Sequence, residues 1–369
     1  MRVGVSLLNF RLGCMGGIET YFRMLIKYLS RCAEKRGDEI IFFVNQETYP
    51  LLNKNDKFVL FDLSRSKMMR IRFLEIFPFY FSKKITQQVN DAKLDCFFVP
   101  HQAVFPKRVS VPVVLTAHDV QHLFYPKYFS WIDRVFRRIV WARSLRDACG
   151  IIAISIFTKK SLVDRCDVSE KKIWVVYHGF DPIIQESSSP PPVENFLFYP
   201  AATYPHKGHL QLLETYAELR KKEQINQKLV FTGMKTKYWK KIKDKIKALG
   251  IEDEVIHLGF VSRKDVLALY KACHSVLFPT QFEGFGLPVL EALVAKKRIV
   301  CSSLSVFDEL GVPKKWQVDF SSPVALKKAL DTSVEKEIDW ISWDESVCQT
   351  LEAIERFLCF EKKGKRSAE

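Results

Sequence analysis

Glu283 and Glu291 bracket a glycine turn in the run Phe282-Glu283-Gly284-Phe285-Gly286-Leu287-Pro288-Val289-Leu290-Glu291. The turn follows an apolar stretch, Ser275 to Pro279, and puts Pro288 where a helix would begin. A strand, a glycine turn and a helix start together make an anion site. The free backbone N–H groups and the positive end of the helix dipole face one point, where a diphosphate can be held. Carboxylates do not bind phosphate. They accept hydrogen bonds from hydroxyls, so Glu283 and Glu291 suit hydroxyl groups on either flank of that anion. Taken alone, one charge before a turn and another on a helix would equally be solvated surface.

A second loop with chemical potential is Tyr199-Pro200-Ala201-Ala202-Thr203-Tyr204-Pro205-His206-Lys207-Gly208-His209, between an apolar run and a leucine-rich helical stretch. Loops at the carboxyl ends of strands are where open α/β sheets bind ligands. Lys207 there can neutralise a diphosphate whose charge grows as a bond to it breaks; as a plain surface lysine it would do nothing. Near the start, Gly13 to Glu19 lies between the opening strand and a helix, and Gly16 and Gly17 allow close backbone approach to a ligand. The GxGxxG spacing of a dinucleotide fingerprint is absent, so a simple tight turn is the alternative. His118, with Asp119, directly follows the run Val111 to Thr116 and is the best-placed catalytic histidine.

The elements that must position these residues are short apolar runs alternating with helical stretches. The first set is Val3 to Leu8, Ile40 to Val44, Cys96 to Val99, Val111 to Thr116 and Gly150 to Ile154. The second is Phe196 to Tyr199, Lys228 to Thr232, Val255 to Leu258, Ser275 to Pro279 and Arg298 to Cys301. Strands apolar along their whole length are buried on both faces, which is the mark of parallel sheets covered by helices. At 369 residues the chain exceeds one ordinary core, and two α/β domains are expected. Serines 187 to 189 and prolines 190 to 192 cannot continue a helix or a central strand, so a linker is expected over 185–194. That divides the chain into domains at 1–184 and 195–345. A terminal amphipathic helix over 346–369 carries Val347, Leu351, Ile354 and Leu358 at helical spacing.

The 57 lysines and arginines outnumber the 42 acids, giving a net charge of +15. Such an excess attracts nucleic acid, anionic lipid or a phosphorylated substrate without choosing among them. The absence of any recognition module argues against nucleic acid. Nine cysteines stand without a CxxC pair or a Cys/His cluster, which fits reduced thiols, no metal site and a cytoplasmic location. No apolar run is long enough to span a bilayer. In Ser64 to Lys84, however, Lys67, Arg70, Arg72, Lys83 and Lys84 alternate with Met68, Phe73, Leu74, Phe77 and Phe79. That interleaving suits docking on an anionic membrane at the inner face of the cell membrane. Arg134, Arg137, Arg138, Arg143 and Arg146 extend the basic surface. The alternative is that the aromatics are core.

The segment His257 to Leu310 resembles glycosyltransferase family 4, retaining enzymes of GT-B fold. GGIETY, AHDVQHLFYPKYFS, AISIFTKKSLV, VVYHGFDP, YPAATYPHKGH and Ser342-Trp343 stand in the family's order. The resemblance implies two Rossmann-like domains facing across a cleft, with the terminal helix crossing back to the first. It implies that Glu283 contacts a donor sugar, and that the backbone of Phe285, Gly286 and Leu287 touches sugar and diphosphate. Glu291 would bind ribose and Lys207 the diphosphate. Gly16 and Gly17 would approach the phosphates, and His118 would lie near the transferred sugar. No cofactor or metal is implied. Ala202 stands where the family commonly has arginine, leaving Arg263, Lys264 or His206 to share the diphosphate charge with Lys207. The loop is closest to a PHKNH subgroup, which points to GDP-mannose as donor and to a glycan or lipid-linked acceptor in cell-surface polysaccharide or lipopolysaccharide synthesis. An epimerase acting on the nucleotide sugar alone is the alternative, since fold does not fix reaction.

Overall fold

The computed structural model describes residues 1–13, 16–74, 76–77, 82–181, 191–334 and 339–366. The chain forms two compact units, Met1–Gly179 with Ile341–Glu369, and Phe180–Trp340. The change of unit thus falls at Gly179, and the chain returns to the first unit at Ile341.

The first unit is built on seven parallel strands. They are β1 (Arg2–Ser6), β2 (Glu39–Asn45), β3 (Lys57–Phe61), β4 (Cys96–Val99), β5 (Val113–Ala117), β6 (Gly150–Ala153) and β7 (Ile173–Val175), in the order β3-β2-β1-β4-β5-β6-β7. The apolar runs form the middle of this sheet: all of β4 and β6 is buried, and Phe43, Phe97, Val99, Leu115 and Ile151 lie in one core cluster. The two strands outside the apolar runs, β3 and β7, are its edges. There the burial is partial, with Phe58, Leu60 and Trp174 facing solvent, so the all-apolar signature of a central strand is missing.

The helix Trp343–Arg366 belongs to this unit and packs beside the helix Gly17–Lys35. The spaced apolar residues Val347, Leu351, Ile354 and Leu358 are all buried. Full burial of side chains such as Leu351 and Ile354 stabilises by about 1.5–3 kcal/mol each. Phe357 lies against Gly150, where a Cβ would run into its ring. Asp344 pairs with Arg31 at 2.7 Å, and Arg36 with Glu355 at 2.5 Å. Cys32 and Cys348 are joined as a disulfide, with Cα atoms 5.5 Å apart. This corrects the expectation that every cysteine is a reduced thiol. The partners are 316 residues apart in sequence, and no spacing rule pairs cysteines that meet only because two helices pack.

The second unit holds five parallel strands: β8 (Phe196–Pro200), β9 (Lys228–Thr232), β10 (Val255–His257), β11 (Ser275–Phe278) and β12 (Ile299–Cys301), in the order β10-β9-β8-β11-β12. In each sheet the strand order reverses once, between β1 and β4 and between β8 and β11. Loops leaving the carboxyl ends of strands diverge at such a switch point and leave a crevice.

Within Ser64–Lys84, Met68 is buried and Ile71 packs on the first unit's core, while Phe73, Leu74 and Phe77 are exposed. The segment is thus part core, part surface. Phe79 lies outside the described residues, as do Pro78, Tyr80 and Phe81.

Candidate active site

In the second unit the loops after β8 and β11, which flank the switch point, interlock. Gln281 donates its N–H to the His206 carbonyl at 2.8 Å. Gly208 takes a left-handed conformation (φ 72°), and a Cβ there would collide with the Pro279 carbonyl. Only glycine meets both demands. The Tyr199 hydroxyl donates to the Lys207 carbonyl. These contacts hold Lys207 so that its Nζ donates to Glu283 Oε1 at 2.5 Å, with both side chains largely buried. The sequence placed these two residues in separate loops; the fold makes them a pair.

Gly286, with φ 99°, caps the helix Leu287–Val294, and Pro288 sits in its first turn. A Cβ on Gly286 would press on the Phe307 ring at 2.8 Å. The N–H groups of Gly286 and Leu287 have no described acceptor, as expected at a helix start. Phe285 is buried, its ring 6.2 Å from that of Trp340. One turn into the helix Glu291 is buried, and its Oε1 accepts from Arg263 Nη1. Tyr270 braces the same helix by donating to the Pro288 carbonyl at 3.1 Å. Arg263 thus stands at this site, as one of the candidates to help Lys207, but engaged with Glu291. His206 does not supply a charge. Burial, then Lys207 and His209, push its pKa down to about 3, so it is neutral near pH 7. His209, packed 4.6 Å from the Tyr199 ring, is held at about 3 by burial, His257 and Lys207.

In the first unit, Gly16 (φ 54°) caps the helix that starts at Gly17, and both are exposed. The neighbouring Cys14 and Met15 lie outside the described residues. Glu19, in the first turn, accepts from the Gly13 N–H at 2.7 Å and pairs with Arg23. Tyr21 on the same helix places its ring 5.1 Å from His118 and 5.0 Å from His178. His118, just past β5, is buried, with its Nε2 3.1 Å from the Pro100 carbonyl. A carbonyl only accepts, so Nε2 carries the proton and Nδ1 is an acceptor, with no partner among the described residues. Burial lowers the His118 pKa against the opposing pull of Pro100 and Asp119. A neutral imidazole with a free acceptor suits a hydroxyl better than an anion.

Sequence reasoning did not single out the Arg263–Glu291 or Lys207–Glu283 pairings, which join residues 28 and 76 apart. The ring cluster of Tyr21, His118, His178 and Trp343 was equally invisible, since its members come from four separate elements.

Two parallel sheets, each with one switch point, define an α/β protein of doubled Rossmann type. Residues 181–345 match the family model described as glycosyl transferases group 1, and residues 15–183 that of glycosyltransferase family 4. The chain belongs to glycosyltransferase family 4, is an enzyme of that kind, and has the GT-B fold. It is 24% identical to the O-antigen chain mannosyltransferase RfbU of Salmonella typhimurium over 296 residues, covering 79% of this chain and 76% of the relative. It is likewise 24% identical over 239 residues to O-antigen chain mannosyltransferase B of Escherichia coli, covering 58% of this chain and 57% of the relative. Among solved structures, Anabaena Alr3699/HepE in complex with UDP and glucose matches with a TM-score of 0.64 at 18% identity, covering 96% of this chain and 99% of that one. WaaG, a glycosyltransferase involved in lipopolysaccharide biosynthesis, matches with a TM-score of 0.62 at 14% identity and 94% coverage of both chains. No described helix is long and apolar enough to cross a membrane.

Proposed function

We propose that the protein transfers mannose from GDP-mannose, with retention of configuration, to a glycan or lipid-linked acceptor in cell-surface polysaccharide synthesis. The observation that carries this reading is the Lys207–Glu283 pair beside the helix start at Gly286. A cation, a carboxylate and a helix N-terminus together match a diphosphate bonded to a sugar. The choice of mannose rests on the relatives named as mannosyltransferases.

In this reading Lys207 gives up part of its contact with Glu283 to the donor's diphosphate, and Glu283 turns to a sugar hydroxyl. Gly286 and Leu287 present N–H groups to the same phosphates, with Phe285 beside them, and Gly16 and Gly17 are assigned to the phosphates as well. Glu291, anchored by Arg263, accepts from the ribose hydroxyls. His118 accepts from a hydroxyl of the transferred sugar through Nδ1. The bond from the sugar carbon to the phosphate oxygen breaks as the acceptor oxygen bonds to that carbon on the same face. The acceptor's proton passes to the departing phosphate oxygen. The charge on Lys207 and the helix end serves the leaving group, so the reaction needs no metal and no cofactor. The exposed Phe73, Leu74 and Phe77 beside Lys67 and Arg70 support docking on the inner, anionic face of the membrane.

Transfer measured with GDP-[14C]mannose tests the reading. Label reaching a lipid or glycan extract, undiminished by chelator, is the expected result. Release of free mannose-epimer nucleotide without transfer would favour an epimerase and overturn it.

A further inference from the structure

The segment after His118 holds a cation that the reaction above does not use. Between the helices Trp131–Phe136 and Ala142–Asp147 the chain makes a π-turn over Arg137–Trp141. Such turns are rare and concentrate at functional sites. This one sets the Arg137 guanidinium against two rings, its Cζ 4.0 Å from the Trp141 centroid and 4.6 Å from that of Phe129. His122 closes the box, 5.1 Å from Trp141 and 6.2 Å from Phe129.

Two neighbouring rings restrict the guanidinium but satisfy none of its N–H groups. The Arg137 side chain forms no hydrogen bond or ion pair with a described residue. Asp119 and Asp133 act on Arg137 only through space; Asp133 accepts from Ser130 Oγ at 2.6 Å and Asp119 from the Gln121 N–H at 2.9 Å. The buried Nε1 of Trp141 and Nδ1 of His122 also lack described partners. Burial and Arg137 hold His122 near a pKa of about 4, so it stays neutral. A half-buried, planar guanidinium with its edge unpaired is a receptor for a bidentate oxyanion.

We propose that the Phe129, Arg137 and Trp141 box binds a phosphate or diphosphate group carried by the acceptor. The inference rests on the transferase reading, because it takes the ligand to be that reaction's acceptor. Position supports it: His101 lies 5.9 Å from Trp141 and 6.2 Å from His118, so one ring separates the box from the proposed sugar contact. The anion would anchor there while an acceptor hydroxyl reaches the reacting carbon. Arg134 and Arg138 flank the box and add to the attraction. Trp131 and Ile132, exposed on the preceding helix, offer apolar surface to a lipid tail if the phosphate is lipid-borne.

The test is calorimetric titration of the full chain with farnesyl diphosphate, inorganic pyrophosphate and farnesol. The donor site is first saturated with whichever nucleoside diphosphate raises the melting temperature. Both phosphates should bind, farnesol should not, and Arg137→Gln should weaken both at least tenfold. Arg137→Lys, which keeps the charge but not the fork, should fall between, and its melting temperature guards against a folding artefact. Tighter binding of farnesyl diphosphate than of pyrophosphate supports a lipid-borne phosphate; equal binding supports a soluble phosphorylated acceptor. Wild-type affinity for both phosphates in Arg137→Gln and Arg137→Lys overturns the proposal, as does farnesol binding as tightly as its diphosphate. Failure of the donor reading would show separately, as no nucleotide shift at all.

Discussion

The Gly286 turn of the second unit and the surroundings of His118 in the first hold their polar groups in different ways. In the second, the charged groups around the Gly286 turn are paired with each other, Lys207 with Glu283 and Arg263 with Glu291. In the first, the groups around His118 are neutral hydrogen-bonders, and the buried Nδ1 of His118, Oε1 of Gln102 and Nδ1 of His122 have no described partner. Buried polar groups are normally satisfied, so these atoms are candidates for hydrogen bonds to a ligand. On the proposed reading, a charged ligand is received by exchange, displacing an internal ion pair, whereas a hydroxyl-rich one is received by completing unmade hydrogen bonds.

The comparison breaks most readily at Lys207. Its replacement by Ala should cut turnover by about 10²–10³-fold, the usual loss for one preorganised charge-stabilising group, in an assay of sugar transfer at saturating donor. Unchanged turnover would mean the pair is structural. Next in size, Glu291→Ala strands Arg263 at the edge of a buried site. It should raise the donor KM about tenfold and cost about 1 kcal/mol or less in a urea melt, because the Arg263 side chain is 39% exposed and regains water; an unaltered KM would detach Glu291 from the donor.

A pH series tests what the two units share, because both bury neutral histidines. His209 and His206 have folded pKa values of about 3 and His122 about 4, all below the unfolded value of about 6.5. A depressed folded value means the unfolded chain binds protons first. Their stabilising contribution is therefore complete above about pH 6.5 and is lost as pH falls toward the folded values. The melting temperature should drop steadily from pH 7 to pH 5, and His209→Phe should flatten that slope; a level profile in the wild type would contradict the burial argument. The smallest stability effect is expected at the residues proposed to face a membrane. Phe73→Ser and Phe77→Ser together should shift stability by under about 0.5 kcal/mol, as surface changes do, while reducing sedimentation with phosphatidylglycerol vesicles. Full retention of the double variant on vesicles would remove this segment from the docking surface.

The fold was legible to the extent that burial was. Ten strands announce themselves as apolar runs because they are covered on both faces, and the loop glycines at Gly208 and Gly286 mark real left-handed turns. The edge strands β3 and β7 were not legible, since Phe58 and Trp174 face water and the pattern blurs. At the site, residue types and their loops could be read, but not who pairs with whom. Nothing in the spacing tells that Lys207 reaches Glu283, that Arg137 lies against Phe129 and Trp141, or that Cys32 meets Cys348. Those depend on strand order and helix packing, which a linear pattern does not carry.

The most direct test of the central claim is calorimetric titration of GDP-mannose into the wild type, Lys207→Ala and Glu291→Ala, each with and without EDTA. The account predicts saturable binding by the wild type that EDTA leaves unchanged and that either substitution weakens at least tenfold. Equal affinity in all three proteins, or no binding to the wild type, would contradict it.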